Sequence, residues 1–219
     1  EKICENADID LIITSREFLE KANVELPGKL IYAEDLAEKI TDQKRKAAFR
    51  EYLLSSVLSL EKKYSSKQKR SLHETATIIY SSGSTGVPKG VCLTHWNIAS
   101  NMRQIKEVFP LSNKDTILGI LPFFHSFGTM VGLFLPHMTG MKASYLPNPL
   151  DPVAIGKATR EHDVTFLVAT PTFLNAYTRR IDARDFGSVK YVLAGAEKLR
   201  PQIAQAFQNK FGVNILEGY

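Results

Sequence analysis

The chain has 219 residues, of which 44% are hydrophobic and 23% charged, and its formal net charge is +5. These values are typical of a globular protein that buries a core. The apolar stretch 116–141 is interrupted by prolines, a histidine and glycines, which argues against a transmembrane helix, and no signal peptide is predicted. Cys4 and Cys92 lack metal-ligand spacing, which favours a reduced cytosolic setting over a disulfide framework.

The positive charge is concentrated between residues 41 and 70, where nine basic residues accompany three acidic ones. One interpretation is a solvated helix face followed by a flexible linker. The other is a docking patch for a small acidic protein or for an anionic membrane surface. Nucleic acid is disfavoured as a partner because no recognised nucleic-acid-binding motif accompanies the charge.

The first forty residues alternate short strands with short helices. The apolar run 9–13 predicts a strand, Ser15 is a candidate cap for a helix to about Lys21, and residues 30–40 repeat the pattern. Between Gln43 and Tyr64, apolar side chains at helical spacing predict an amphipathic helix whose other face carries charge. We therefore predict the end of a first βα subdomain over 1–64 and a basic linker over 65–74.

The stretch Tyr80–Gly90 carries the most information in the sequence. It places glycines, hydroxyl groups and Lys89 between two predicted strands, at 75–80 and 91–93. Glycines let a backbone approach a ligand, hydroxyl and N–H groups donate to phosphate oxygens, and lysine adds a mobile positive charge. A Walker A loop is excluded because Pro88 precedes the lysine, a glycine follows it and no helix begins there. The composition suits a polyphosphate site, although a polar hairpin without ligand has the same ingredients.

The rest of the chain continues the βα alternation, which gives a second predicted subdomain over 75–219. We predict strands at 115–121, 141–146, 164–169, 189–193 and 213–216, and helices at 95–108, 130–138, 152–161, from 171, and at 201–211. The fold class is therefore α/β, with repeated βα units forming layers of sheet and helices. The turn that begins at Ala194 follows a strand, and α/β sheets hold ligands at the carboxyl ends of their strands.

The ten residues from Ser81 to Gly90 fit every position of the phosphate-binding signature of the adenylate-forming superfamily, and the chain resembles that superfamily here. Its members include acyl-CoA and acyl-carrier-protein synthetases, peptide-synthetase adenylation domains and luciferases. The resemblance implies that the loop holds the β- and γ-phosphates of ATP while a carboxylate attacks the α-phosphate. The residues that it assigns to ATP are Ser81, Ser82, Gly83, Ser84, Thr85, Gly86 and Lys89, with Lys89 also catalytic.

The segment Pro122–Gly128 resembles the second signature of the superfamily. A lone histidine between aromatic residues is more often a packed core residue than a catalyst. The resemblance implies instead that His125 is catalytic, and that Phe124, His125 and Gly128 lie beside the substrate carboxylate and gate the thiol channel. Amino-acid-activating members usually carry aspartate at this histidine position, so the histidine argues for a fatty or aryl acid.

Two further turns complete the implied site. Gly195, Ala196 and Glu197 are implied to contact the adenine ring, and Gly195 also the acyl group. Tyr219 is implied to stack on adenine. Thr170 and Pro171 are implied to line the acyl pocket, although a helix cap followed by proline accounts for them equally well.

Four further strings, such as residues 11–19 and 194–199, resemble the synthetase half of the bacterial bifunctional 2-acylglycerophosphoethanolamine acyltransferase/acyl-[acyl-carrier-protein] synthetases. That resemblance implies fatty acid, ATP, Mg²⁺, acyl carrier protein and a lysophospholipid as reactants, at the cytoplasmic face of the bacterial inner membrane. No histidine is followed five positions later by aspartate, so the acyltransferase pair is not in this chain. Two alternatives remain open: a fatty acyl-CoA synthetase that uses free CoA, and a non-catalytic carrier-docking module.

The chain begins at Glu1 without an initiator methionine and stops at Tyr219 inside the expected Tyr-Gly-x-Thr-Glu motif. We therefore expect it to be a piece of a longer protein. The glutamate that holds Mg²⁺ and the lysine of the C-terminal domain are expected beyond Tyr219. By itself, the chain is expected to bind nucleotide weakly and to catalyse nothing.

Overall fold

The computed structural model of the protein describes residues 2–54, 71–81 and 88–218. The chain divides into two compact units, Glu1–Ser71 with Tyr80–Val91, and Leu72–Ile79 with Cys92–Tyr219. No helix among the described residues is long and apolar enough to cross a membrane.

The described residues of the first unit form a small parallel sheet and four helices. Its elements are α1 (Lys2–Asn6), β1 (Leu11–Thr14), α2 (Arg16–Ala22), β2 (Lys29–Tyr32), α3 (Ala33–Glu38) and α4 (Asp42–Leu53). Strands β1 and β2 pair in parallel, with Leu11 opposite Lys29. The Ser15 hydroxyl accepts a hydrogen bond from Phe18 N at 3.1 Å, so the predicted cap of α2 is confirmed.

The predicted helix 43–64 appears in the described residues as α4, which ends at Leu53. Its remaining predicted part lies outside the described residues. Thr41 caps the helix by accepting a hydrogen bond from Lys44 N at 3.3 Å. The predicted helix is therefore confirmed from Gln43 to Leu53.

Two strands, β3 (Thr75–Ser81) and β4 (Lys89–Thr94), pair with each other. The elements that follow are α5 (His95–Val108), β5 (Thr116–Gly119), a π-helical segment (Gly128–Phe134), α6 (Leu135–Thr139), β6 (Lys142–Tyr145), α7 (Pro152–Glu161), β7 (Phe166–Ala169), α8 (Pro171–Arg180), a 3₁₀ turn (Ala183–Phe186), β8 (Tyr191–Ala194), α9 (Pro201–Phe211) and β9 (Ile215–Glu217). The α/β fold class predicted from the sequence is confirmed.

The second unit is built on a five-stranded parallel sheet with strand order β6-β5-β7-β8-β9. Alternate residues of the buried strand β7 enter opposite cores, with Leu167 in the core under α7, α8 and α9 and Phe166 in the core under α5 and the π-helical segment. The sheet is thus the middle of three layers. The chain leaves β5 toward β6 on one side and later returns to β7 on the other. Such a reversal opens a crevice at the carboxyl ends of the strands.

Local sequence signals set the ends of the helices that cover one face of the sheet. The Asp151 carboxylate accepts hydrogen bonds from Val153 N and Ala154 N, both at 3.1 Å, and Pro152 is the first residue of α7. Helix α9 likewise begins at a proline and ends before Gly212, whose φ of 73° favours glycine. Both helices therefore have the predicted limits.

A buried carboxylate joins the amino ends of the central strands. Asp115 is 5% exposed and accepts hydrogen bonds from Ser112 N and Thr165 Oγ1, each at 2.9 Å. Thr165 Oγ1 accepts in turn from Thr116 N at 3.1 Å, and Lys190 Nζ lies 3.8 Å from Asp115 Oδ1. Burial alone raises the pKa of Asp115, but the hydrogen bonds from Ser112 and Thr165 and the Lys190 ammonium outweigh it and hold the pKa below its ordinary value.

Asp115→Asn is expected to lower the free energy of unfolding at neutral pH by about 2 kcal/mol, because hydrogen bonds to a buried charged group are lost. The folded-state pKa lies below the unfolded value of about 3.9, so the carboxylate stabilises the fold above that pH. This contribution is lost as the pH falls below about 4 toward the folded pKa. Urea unfolding at several pH values measures both effects.

The matched control is Asp163→Asn at an exposed position whose φ is 48°, where asparagine is well tolerated. It is expected to change the free energy of unfolding by less than about 0.5 kcal/mol. Equal losses in the two variants, or an unchanged acid dependence in Asp115→Asn, would contradict the assignment.

Candidate active site

A cavity of about 850 Å³ lies in the second unit near the carboxyl ends of β8 and β9. Its lining residues are Asn101, Gln104, Ile105, Val108 and Phe109 at α5, His125, Ser126, Phe127, Met130 and Val131 after β5, Leu193 and Ala196 at β8, and Leu216, Glu217 and Gly218 at β9. Most of these side chains are apolar, and a few carry amide, imidazole, hydroxyl or carboxylate groups. Such a lining suits an amphipathic ligand with an apolar body and a polar end.

The turn after β8 packs against the loop after β5 at Gly195. A Cβ atom at this buried glycine would lie 2.6 Å from the ring of Phe127 and 3.0 Å from Gly218 O. Gly195 N donates to Ala169 O at 3.3 Å, and Gly218 N donates to Ala194 O at 2.8 Å. Only glycine therefore allows the two loops to approach this closely without displacing the Phe127 ring.

The residue after this glycine has an unusual backbone conformation. Ala196 has a φ of 67°, in the left-handed region that residues with a Cβ rarely occupy. Conformations of this kind cost about 1–3 kcal/mol and cluster at ligand sites, where the surrounding packing maintains them. Ala196 lines the cavity, so the strained turn forms part of its wall.

The loop after β5 places His125 at the cavity. His125 N donates to Pro122 O at 3.1 Å, and the ring Nδ1 accepts from Phe127 N at 3.3 Å. With Nδ1 as an acceptor, the neutral ring carries its proton on Nε2. The side chain is exposed and lines the cavity, and its role at the substrate stays a prediction.

The helix predicted at 130–138 begins earlier than expected and has a different geometry. Residues Gly128–Phe134 form a π-helix that continues as the α-helix Leu135–Thr139, so the predicted limits are wrong at the start. The Tyr145 hydroxyl donates to Gly132 O at 2.8 Å, and burial raises the pKa of Tyr145. π-Helical turns are rare and frequently lie at functional sites, and this one contributes Met130 and Val131 to the cavity.

Two carboxylates fix the turn that follows β8. Glu197 Oε2 accepts hydrogen bonds from Thr172 Oγ1 at 2.6 Å and from Thr172 N at 3.3 Å, at the amino end of α8. Glu217 Oε1 accepts from Leu199 N at 2.9 Å. A carboxylate is favoured at a helix amino terminus by the free N–H groups and the helix dipole. The turn is thus held at both ends.

The turn at Thr170 and Pro171 does not contribute to the cavity lining. Thr170 caps α8 by accepting a hydrogen bond from Phe173 N at 3.4 Å, and Pro171 is buried as the first residue of that helix. The next residue, Thr172, nevertheless contacts a predicted site residue, because its hydroxyl donates a hydrogen bond to Glu197. Its role in the acyl pocket stays a prediction.

The other predicted site residues are exposed, apart from the buried Gly128, or lie outside the described residues. Phe124 is 82% exposed, and Gly128 is buried at the start of the π-helical segment. Ser81 ends β3 and Lys89 begins β4, both exposed. Ser82, Gly83, Ser84, Thr85, Gly86 and Tyr219 lie outside the described residues. The roles of all these residues stay predictions.

Sequence reasoning missed one wall of the cavity, which α5 supplies. Asn101, Gln104, Ile105 and Val108 recur at intervals of one helical turn and share a side of the helix. The buried residues Ile98 and Met102 dominate the apolar pattern of α5 and conceal this second stripe. The amide side chains of Asn101 and Gln104 could have indicated from the sequence that this side of α5 is partly polar.

Comparisons with known proteins agree with this architecture. The family model described as AMP-binding enzyme matches residues 1–219. The chain is 34% identical over 152 residues to "Probable 4-coumarate--CoA ligase 3" of Dictyostelium discoideum, a match that covers 67% of this chain and 27% of that protein. It is 31% identical over 156 residues to the long-chain-fatty-acid--CoA ligase of Bacillus subtilis, with the same coverage of 67% and 27%.

Among solved structures, apo MatB from Rhodopseudomonas palustris superposes with a TM-score of 0.74 at 20% identity, covering 99% of this chain and 41% of that one. This likeness shows a shared fold. The chain spans about a quarter of the length of the curated relatives above, with 27% covered in each. Since the matching family model extends over the whole sequence, the chain belongs to the AMP-binding enzyme family.

Proposed function

We propose that the protein containing this chain is an ATP-dependent fatty acid:[acyl-carrier-protein] ligase that forms an acyl-adenylate intermediate. In the complete protein, this activity supplies acyl groups to 2-acylglycerophosphoethanolamine at the cytoplasmic face of the bacterial inner membrane. The substrates are a fatty acid, ATP with Mg²⁺, acyl carrier protein and the lysophospholipid. The isolated chain is proposed to catalyse nothing, and acyl-adenylate formation by this piece alone would contradict that statement.

The observation that carries the proposal is the mainly apolar cavity whose lining includes His125 and Ala196. A fatty acid has an apolar chain and one carboxylate, which matches a lining of aliphatic and aromatic side chains with a few polar groups. His125 stands where amino-acid-activating members usually carry aspartate, and Glu217, the carboxylate in the cavity lining, already accepts a hydrogen bond from Leu199 N. The cavity therefore favours a fatty acid over an amino acid.

The first proposed step is attack of the fatty acid carboxylate on the α-phosphate of ATP, which releases pyrophosphate. The loop Ser81–Lys89 neutralises the departing charge, because fixed hydroxyl and N–H donors and an ammonium group stabilise charge that develops on phosphate oxygens. With Nδ1 accepting from Phe127 N, the His125 ring offers Nε2–H as a hydrogen-bond donor to the acid. The fixed turn at Gly195 and Ala196 supports the adenylate.

The second proposed step is attack of the phosphopantetheine thiol on the acyl-adenylate, which forms the thioester and releases AMP. Mg²⁺ supplies charge neutralisation at the phosphates when it is bound. No group of three His, Cys, Asp or Glu side chains able to hold a metal occurs among the described residues. Its glutamate ligand is proposed to lie after Tyr219.

The proposal is tested by ATP–pyrophosphate exchange with the full-length protein across a series of fatty acids and amino acids. Exchange that depends on fatty acids is expected. Exchange that depends on an amino acid, or none with any carboxylic acid, would overturn the substrate class. Thioester formation with acyl carrier protein and with CoA, measured side by side, then tests the acceptor.

A fatty acyl-CoA ligase is the second candidate, and the similarity to the Bacillus subtilis long-chain-fatty-acid--CoA ligase favours it. The two candidates share the adenylation step and differ only in the thiol. A preference for CoA in the side-by-side thioester assay would replace the first candidate by the second. Transfer of the acyl group to 2-acylglycerophosphoethanolamine by the full-length protein is expected only for the first.

Glu197→Gln in the full-length protein is expected to raise the KM for ATP about three- to tenfold, because losing the charge-assisted hydrogen bonds to Thr172 loosens the turn at Ala196. Thr172→Val removes the shorter of these two hydrogen bonds, the one from the Thr172 hydroxyl, and keeps the one from the backbone N–H. The double variant is therefore expected to be no worse than either single variant. Pyrophosphate exchange at varied ATP concentration measures the effect, and strictly additive losses would contradict the coupling.

A further inference from the structure

We propose that α4 binds the surface of an anionic lipid bilayer through its outward face, formed by Phe49, Tyr52 and Leu53 with Arg45 and Lys46. This inference is independent of the reaction proposed above. It assigns a physical task to a helix that contributes nothing to the cavity.

The apolar side chains of α4 are exposed on one side of the helix. Phe49, Tyr52 and Leu53 are 62%, 70% and 62% exposed, and their spacing of three and four residues places them on one side of the helix. Ala47 and Glu51 are the half-buried residues of α4, and at 3.6 residues per turn both lie about 160° around the helix from Phe49. The helix thus packs against the rest of the unit through the side that carries Ala47 and Glu51, and the side that carries Phe49 and Tyr52 is exposed.

Basic residues flank this apolar row. Arg45 and Lys46 lie one turn before Phe49 on the same side of the helix, and Arg50 follows beside them. Asp42 lies 3.8 Å from Arg45, and both side chains are largely exposed, so this contact neutralises little of the positive field. Glu51 lies on the opposite side. The outward face is therefore apolar at its centre and cationic around it.

This arrangement fits a bilayer interface better than a folded acidic protein. Aromatic and leucine side chains enter the boundary between headgroups and acyl chains, while arginine and lysine extend to anionic headgroups. Each basic residue near such a surface adds attraction, and the contributions accumulate. A purely acidic protein patch would satisfy the cations and leave Phe49 and Tyr52 facing polar groups.

The length of α4 determines how it contacts the bilayer. Its twelve residues extend about 18 Å, well short of a hydrocarbon core of about 30 Å. The helix consequently lies in the plane of the surface. Shallow insertion of one row of side chains gives reversible binding that depends on lipid charge and on salt.

The test uses the full-length protein with Tyr52→Cys carrying an environment-sensitive dye, in a background of Cys4→Ser and Cys92→Ser. Because the dye reports on α4 alone, other membrane contacts of the protein do not interfere. We expect a blue shift with vesicles of phosphatidylglycerol and phosphatidylethanolamine, and little shift with phosphatidylcholine vesicles. The matched control carries the dye at Val153→Cys, which is 77% exposed outside α4 and is expected to show no shift.

Charge reversal separates specific attraction from a general effect of net charge. Lys46→Glu with Arg50→Glu is expected to raise the lipid concentration for half-maximal shift at least about tenfold. Arg179→Glu with Arg180→Glu makes the same change in net charge at exposed residues of α8. This double variant is expected to leave the lipid concentration for half-maximal shift unchanged. Lys46→Glu alone, with an intermediate effect, serves as the milder variant.

Three results would overturn the proposal. The first is that the dye at position 52 gives no response to anionic vesicles. The second is an equal response to phosphatidylcholine vesicles. The third is a response to acyl carrier protein and none to lipid. The last result would make α4 a carrier-docking helix. Equal losses from the two double charge reversals would also contradict a specific role for α4.

Discussion

Lys89→Ala in the full-length protein is expected to lower ATP–pyrophosphate exchange by about 10²- to 10³-fold, the loss typical of removing one fixed group that stabilises transition-state charge. Lys89 is the first residue of β4, directly after Pro88, and its side chain is exposed. Its ammonium group is proposed to meet the departing pyrophosphate. Because the side chain is exposed, the free energy of unfolding is expected to change by less than about 0.5 kcal/mol.

Two further variants test whether the effect of Lys89→Ala comes from the charge and shape of this side chain. Lys89→Arg keeps the positive charge but changes its shape, so an intermediate rate is expected. Lys114→Ala removes an exposed lysine before β5 and is expected to leave the exchange unchanged. If Lys89→Ala exchanged pyrophosphate at the normal rate, Lys89 would have no part in the adenylation step. Absence of exchange in the unaltered full-length protein would instead favour a non-catalytic carrier-docking module.

Gly128→Ala is expected to lower the free energy of unfolding by about 3 kcal/mol, the upper range for inserting a methyl group into a packed site. An added Cβ would lie 2.1 Å from Pro122 O and 2.8 Å from Pro122 C. Both atoms belong to the backbone, so relief requires movement of the loop that carries His125. We therefore also expect folded Gly128→Ala protein to lose fatty-acid-dependent pyrophosphate exchange.

The matched control for this variant is Gly187→Ala, whose added Cβ would meet Arg184 O at an ordinary 3.4 Å. Its φ of −61° is acceptable to alanine, and the expected change is less than about 0.5 kcal/mol. Urea unfolding followed by circular dichroism compares the two. Equal stability of both variants would show that the loop after β5 adapts without cost, contrary to its packing.

Prediction from the sequence succeeded where short-range signals are complete. The limits of α7 and α9 follow from a proline at the first helical position, together with the Asp151 cap in α7 and Gly212 after α9. These signals act within a few residues and do not depend on the rest of the fold. The strand at β7 was similarly evident from its continuous apolar run.

Prediction failed where distant residues determine the geometry. The helix after β5 begins at a glycine packed against Pro122 and is π-helical, with Tyr145 bonded to one of its carbonyls. Its apolar pattern alone gave a later start. In α4, periodicity indicated a helix correctly, but only its packing shows that Ala47 faces inward and Phe49 outward.

The sequence by itself determined the α/β alternation, the helix caps and the string Ser81–Gly90, because these depend on local backbone preferences and on residue chemistry at fixed spacing. The tertiary structure decided which distant segments share a cavity. Asn101, His125 and Glu217 lie on three separate elements, and the cavity that they line exists because the sheet brings the carboxyl ends of its strands together. Contacts of that range, such as the ring of Phe127 against Gly195, depend on packing in three dimensions, which no spacing along the chain encodes.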